Sequence, residues 1–213
     1  METITKPVAE IIPEVIRNLY ERRSVRRYLD RAVARELIEQ VIDAGRMAPT
    51  AMNKQPWKFY VLTEPESIKE FSKSIVKTLA KEMMHEGPAG IAKLAVGALY
   101  NLYYGSLLEG PDVFYGAPVV IFITASKDEP WACYDTSMCA QNMMLAAKAL
   151  GLDSCPLGVG KSVEHTPIYY KLRIPYPEKV FLALVIGYGD EKPDAYKRMK
   201  DNVVYVNDLQ PAE

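Results

Sequence analysis

Two uninterrupted apolar runs, Val119–Thr124 and Val180–Gly187, constrain this chain more than anything else in it. Both are rich in β-branched residues, and both are too short to cross a bilayer. A run without polar alternation predicts a strand buried on both faces, so the rest of the chain has to cover a sheet from two sides. Helical periodicity supplies the cover. Pro13 opens a first helix with Val15, Ile16, Leu19 and Tyr20 on one face. Leu37, Ile38, Val41 and Ile42 recur through Ala34–Met47, which Ala48-Pro49 stops. Glu66–Met84 carries Ile68, Phe71, Ile75 and Leu79 on one side. Tyr134–Leu150 ends at Gly151, a natural C′ glycine.

Trp57–Leu62 and Ser154–Leu157 read as further strands, and Ser162 is expected to cap a helix running to Lys171. Glu86–Tyr115 is the least readable part; its Gly and Pro bracket an apolar segment, Ile91–Leu108, open to reading as helix or as lid. Helices outnumber strands without a regular β-α alternation. The expectation is one α+β domain over residues 1–213, a small sheet wrapped by helices.

Charge and cysteines narrow the function classes. The formal net charge of −1 is no match for a general nucleic-acid binder. Met1–Val15 holds three glutamates and no apolar h-region, so no secretory signal is read there. Cys133, Cys139 and Cys155 are odd in number and lack a CxxC spacing. That argues against a disulfide framework or a zinc site and predicts a reducing, cytoplasmic setting. No metal is expected.

Three segments can carry chemistry. Of ten arginines, seven lie between Arg17 and Arg35, densest in Glu21-Arg22-Arg23-Ser24-Val25-Arg26-Arg27-Tyr28. Planar guanidinium forks suit a phosphate, with the serine hydroxyl as an added donor. A solvated helix end with cations at its negative pole, or a nucleic-acid contact, fits the same residues. In Met47–Trp57, Asn53 and Gln55 each offer a donor and an acceptor to a heterocycle edge, although Asn and Pro also serve ordinary turns. In Leu152–Ser162, Gly160-Lys161-Ser162 matches the end of a P-loop. Cys155 stands where that motif needs its first glycine. A loop approaching a flat ligand through its backbone, with Gly158 as the permissive residue, suits the segment better. His85 and His165 read as surface residues. Asp135, Glu164 and Asp190 form no acid/base pair, and Met138, Met143 and Met144 read as packing.

In this order and spacing, these segments resemble the nitroreductase family of FMN enzymes from Val15 to Val206. The resemblance rests on Arg22-Arg23-Ser24-Val25-Arg26, on Ala48-Pro49-Thr50-Ala51-Met52-Asn53-Lys54-Gln55-Pro56-Trp57, and on Gly116-Ala117-Pro118-Val119-Val120. Gln141-Asn142 with Ala146-Ala147 and Gly151-Leu152, and Ala183-Leu184-Val185-Ile186-Gly187-Tyr188, complete it. It implies a mixed, mostly antiparallel sheet and an obligate homodimer whose two FMN pockets are built from both subunits. Arg22 and Ser24, with Arg23 nearby, then hold the flavin phosphate and ribityl chain, and Arg26 approaches the pyrimidine end of the ring. Pro49, Thr50, Ala51, Asn53 and Gln55 reach the flavin from the other subunit, with Thr50 where serine is common. Pro156, Leu157 and Gly158 face flavin N5, and Lys197-Arg198 close on the phosphate.

The implied activity passes a hydride from NAD(P)H through flavin N5 to a nitroaromatic, quinone or similar conjugated acceptor. No side-chain acid or base is then needed, because the cofactor carries the chemistry. The same fold hosts dehalogenation and oxygen-dependent flavin cleavage, and a flavin-binding sensor or carrier without turnover is a third possibility. Tyr100, Tyr103, Tyr104 and Tyr115 in the odd central segment suit a specialised aromatic substrate.

Overall fold

A computed structural model describes residues 13–87, 89 and 112–206. Its sheet has four strands: β1 (Lys58–Leu62), β2 (Val119–Ser126), β3 (Asp153–Leu157) and β4 (Glu178–Gly187). The order is β1-β2-β4-β3, so the two apolar runs take the two central places. Every pairing between these strands is antiparallel, which narrows the expected mixed sheet. The parallel component among the described residues is an isolated bridge between Ser24 and Ser154.

Alternate residues of the central strands feed two cores. Val120, Phe122, Ala183 and Val185 pack with Phe71 and Ile75 of α3 (Pro65–His85) and with Phe114. Val119, Ile121, Ile123, Leu184 and Ile186 pack with Ile38, Val41 and Ile42 of α2 (Arg35–Arg46). The same core takes Cys139, Ala140 and Met143 of α4 (Ala132–Ala149). This two-sided burial explains the unbroken apolar pattern. Gly151 follows α4 with φ +76°. The Leu152 N–H reaches Ala147 O (2.8 Å) and the Gly151 N–H reaches Lys148 O (3.2 Å), which closes the helix as its glycine predicts.

Two expectations change. Ser162 caps no α-helix: Gly158–His165 and Tyr169–Leu172 are 3-10 segments. Glu164 accepts the Val180 N–H, and Gly160 lies so close to β4 that a Cβ there would sit 2.2 Å from that of Ala183. These contacts hold the segment flat on the sheet. Helix α1 (Glu14–Glu21) forms, but none of its residues is buried. Its apolar face stays open, and its tie to α4 is Asn18 Nδ2–H to Leu145 O at 2.7 Å. Val203–Val206 is exposed and forms no strand. Most of Glu86–Tyr115, including Tyr100, Tyr103 and Tyr104, lies outside the described residues.

The sheet edges differ. Along the outer side of β3 runs the arginine segment, where the Val25 N–H donates to Ser154 O at 3.1 Å. The outer side of β1 pairs with no strand among the described residues.

Candidate functional site

Helix α1 stops at Arg22, and the chain turns extended through Tyr28. Val25 and Tyr28 point inward and are buried, and the Tyr28 hydroxyl donates to Val25 O at 2.8 Å. That spacing turns Arg22, Arg23, Ser24 and Arg26 toward one cavity of about 800 Å³. Its second wall is α1, through Ile16, Leu19 and Tyr20. The third is the chain after β4, through Glu191–Tyr196 and Arg198. The volume falls in the ordinary range for a small-molecule or cofactor site.

Its electrostatics call for an anion. Arg22, Arg23, Arg26, Lys192 and Arg198 face only two carboxylates, those of Glu191 and Asp194. Arg22 Nη1 and Arg23 Nε are buried without a hydrogen-bond partner among the described residues. Burial lowers the pKa of the Arg22 guanidinium from its usual value, and the neighbouring Arg198 and Arg23 charges lower it further. An arginine stays protonated under such pressure, so the cluster holds its charges against their mutual repulsion. A buried donor left unpaired costs free energy that a phosphate oxygen recovers.

The structure therefore gathers Arg22, Arg23, Ser24, Arg26 and Arg198. Lys197, expected beside Arg198, is not among the residues that line the cavity. Pro156 and Leu157 end β3 opposite Leu184 and Ala183 and lie outside the cavity wall. Gly158 follows them exposed, and a Cβ built there meets nothing within 4 Å. Cys155 is buried in β3. Burial raises its thiol pKa, and Arg26, Ser24 and Arg22 offset this only in part.

Pro49, Thr50, Ala51, Asn53 and Gln55 sit elsewhere in the chain, on the exposed loop before β1, and line no part of this cavity. Gln55 Nε2 donates to Asn53 Oδ1 at 3.1 Å, and the Gln55 N–H to Thr50 Oγ1 at 3.2 Å. Met52, Asn53 and Gln55 all have positive φ, at 53°, 55° and 47°. Three left-handed non-glycine residues are a strained arrangement for a solvent-exposed turn.

Sequence reasoning missed Glu191 and the α1 wall. Arg26 N–H donates to Glu191 Oε1 at 2.5 Å across 165 residues, and no local pattern announces that contact. Among the described residues no group of three or more His, Cys, Asp or Glu side chains could hold a metal ion. No helix there is long and apolar enough to cross a membrane.

Comparison with known proteins bears on the same segments. The sequence model of the family described as "Nitroreductase family" matches residues 19–188. The chloronitrobenzene nitroreductase of Comamonas testosteroni is 27% identical over 212 residues, covering 86% of this chain and 89% of its own. A nitroreductase with bound FMN from Desulfitobacterium hafniense superposes with a TM-score of 0.77 at 22% identity, over 92% of this chain and 100% of that one. Another from Bacteroides fragilis, also with bound FMN, gives 0.72 at 22% identity, over 95% and 100%. These two structures share the fold.

Proposed function

Because the chain belongs to the nitroreductase family, we propose that it is an FMN-dependent oxidoreductase using NAD(P)H to reduce nitroaromatics, quinones or similar conjugated acceptors. The carrying observation is the pair of buried, unpartnered guanidinium nitrogens on Arg22 and Arg23, crowded by Arg198. A dianionic phosphate is the ligand that satisfies them. Arg22, Arg23, Ser24 and Arg198 hold it, and Arg26 places a cation near the pyrimidine end of the ring. Pro156, Leu157 and Gly158, which the family resemblance sets toward the ring's reactive edge, would present backbone to it, and a Cβ built at Gly158 meets nothing within 4 Å. FMN bound there would supply the hydride-transfer chemistry between NAD(P)H and the acceptor.

The reading includes a homodimer of single-domain chains, each 1–213. The partner subunit's Pro49, Thr50, Ala51, Asn53 and Gln55 then reach the flavin. Three features support it: the strained 50–55 loop, the apolar face of α1, and a β1 edge unpaired among the described residues together with a β-prone, exposed Val203–Val206 tail. Three free cysteines suit the cytoplasm.

Purified protein is expected to be yellow, to release FMN on heating, and to oxidise NAD(P)H steadily with menadione or nitrobenzene. Protein that stays colourless in excess FMN refutes the proposal, and flavin without turnover leaves only a carrier. Mixing Arg22→Glu chains with Asn53→Ala/Gln55→Ala chains tests the shared pocket. Mixed dimers should regain up to half of their sites, whereas pockets confined to single chains would regain none.

A further inference from the structure

We infer that Glu191 is a positioning residue for the phosphate site: its carboxylate fastens the chain that carries Arg198 over the arginine segment. The inference rests on the FMN reading above. After β4 the chain runs back along the arginine segment. Leu29 N–H donates to Tyr188 O (2.8 Å), Tyr28 bridges Gly189, and Asp190 N–H donates to Arg27 O (2.8 Å). There the main-chain ladder ends. The next link is the side chain of Glu191, which accepts the Arg26 N–H at 2.5 Å. Beyond it, residues 192–198 cross the cavity and bring Arg198 beside Arg22.

Two arguments give that link its purpose. Arg198 and Arg22 carry like charges close enough to disfavour each other, so the segment bearing Arg198 is pushed off the site unless something holds it. Among the described residues, no hydrogen bond or salt bridge from residues 192–198 does so. Moreover, a carboxylate is a poor neighbour for a phosphate. Glu191 half-buried in a cavity that calls for an anion makes sense when its oxygen is committed to a backbone donor. Asp190 still tethers the chain without it, so losing the Glu191 oxygen should free residues 192–198 and leave the sheet intact.

The test is a double-mutant cycle on FMN affinity, read by flavin fluorescence, with trypsin sensitivity of the flavin-free protein as a second readout. Glu191→Ala should weaken FMN by about ten- to a hundred-fold, the worth of one hydrogen bond to a charged group. It should also speed cleavage after Lys197 and Arg198 while far-UV circular dichroism is unchanged. Glu191→Gln keeps the accepting oxygen and should bind within about threefold of wild type. Arg198→Ala should weaken FMN on its own, and adding Glu191→Ala to it should cost less than about threefold more, because the two act through one contact. If Glu191→Ala fails to fold, Glu191→Asp, one methylene too short, takes its place in the cycle. Wild-type affinity or unchanged cleavage in the shortened variant overturns the inference. So does a full additional loss in the Arg198→Ala background. In those cases Arg22→Glu still loses FMN. If Arg22→Glu keeps it, the phosphate reading falls as well.

Discussion

Replacing Arg22 with methionine should move stability and cofactor affinity in opposite directions. Methionine keeps most of the length and removes the charge. In flavin-free protein the Arg22 charge is disfavoured by burial and by Arg198 and Arg23, so its loss relieves the folded state. The group keeps solvent access, and screening limits the gain to a few tenths of a kcal/mol up to about 1 kcal/mol. In a chain of this length that is a rise of roughly 1–3 °C in Tm. With FMN the sign reverses. A charge-assisted hydrogen bond to phosphate is worth about 1.5–3 kcal/mol, so Kd should rise ~10- to 150-fold. At a fixed excess of FMN, a hundredfold loss removes about 2.7 kcal/mol of ligand stabilisation. Thermal melts of flavin-free and FMN-loaded protein, with a fluorescence titration, read both effects. The gain in the flavin-free form should shrink in high salt, which screens the three guanidinium groups from one another. A variant whose flavin-free Tm falls together with its affinity would make Arg22 a structural residue. Unchanged affinity would remove it from the site.

Glu178 gathers the Lys58 ammonium and the hydroxyls of Tyr60 (3.1 Å) and Thr124 (3.0 Å) at the start of β4. Burial alone would raise its carboxyl, but these hydrogen bonds outweigh burial and hold it below the usual carboxylate range. Glu178→Ala should therefore cost about 1–3 kcal/mol at pH 7 in urea unfolding. A depressed folded pKa gives stability that is present above the unfolded value and lost below the folded one. The difference between wild type and variant should thus shrink as pH falls below about 4, and a difference constant with pH would contradict this. Gly160→Val should destabilise by roughly 1–3 kcal/mol through overpacking against Ala183, while Lys161→Ala leaves stability and FMN binding unchanged. Loss of FMN affinity in Lys161→Ala would revive the P-loop.

What was legible in the sequence follows how each signal arises. β2 and β4 could be read because burial on both faces is written into composition, residue by residue, at Val119–Ile123 and Val180–Ile186. The end of α4 could be read because Gly151 answers a local backbone requirement. The arginine cluster was visible, yet its separation from a solvated helix end was not. That depends on Val25 and Tyr28 being pinned to β3 and the β4 exit, which turns the arginines to one side. Ser162 misled because a local cap signal lost to tertiary contacts, Gly160 on Ala183 and Glu164 on the Val180 N–H. Glu191 left no trace because its meaning lies in which donor is unsatisfied where a main-chain ladder ends.

One group of mismatches has a common sign. Val15, Ile16, Leu19 and Tyr20 have the period of a buried helix face but are exposed. Val203–Val206 has strand composition but pairs with no strand among the described residues, where the β1 edge has no partner strand either. The 50–55 loop carries mixed donors and acceptors on strained backbone and does not line the arginine cavity of its own chain, as a loop expected to reach the flavin of the other subunit should not. In each case the pattern asks for a neighbour that the described residues do not offer. An unrelated set of reading errors would fail in both directions, with some polar segments found buried as well. On the two-copy reading these are surfaces written for a second chain, and two of them then have a complement: an edge for the tail, a phosphate pocket for the loop. If that reading holds, exchange of backbone amides in β1 and in Val203–Val206 should slow together as the chain assembles. Protection of one without the other would separate the tail from the edge.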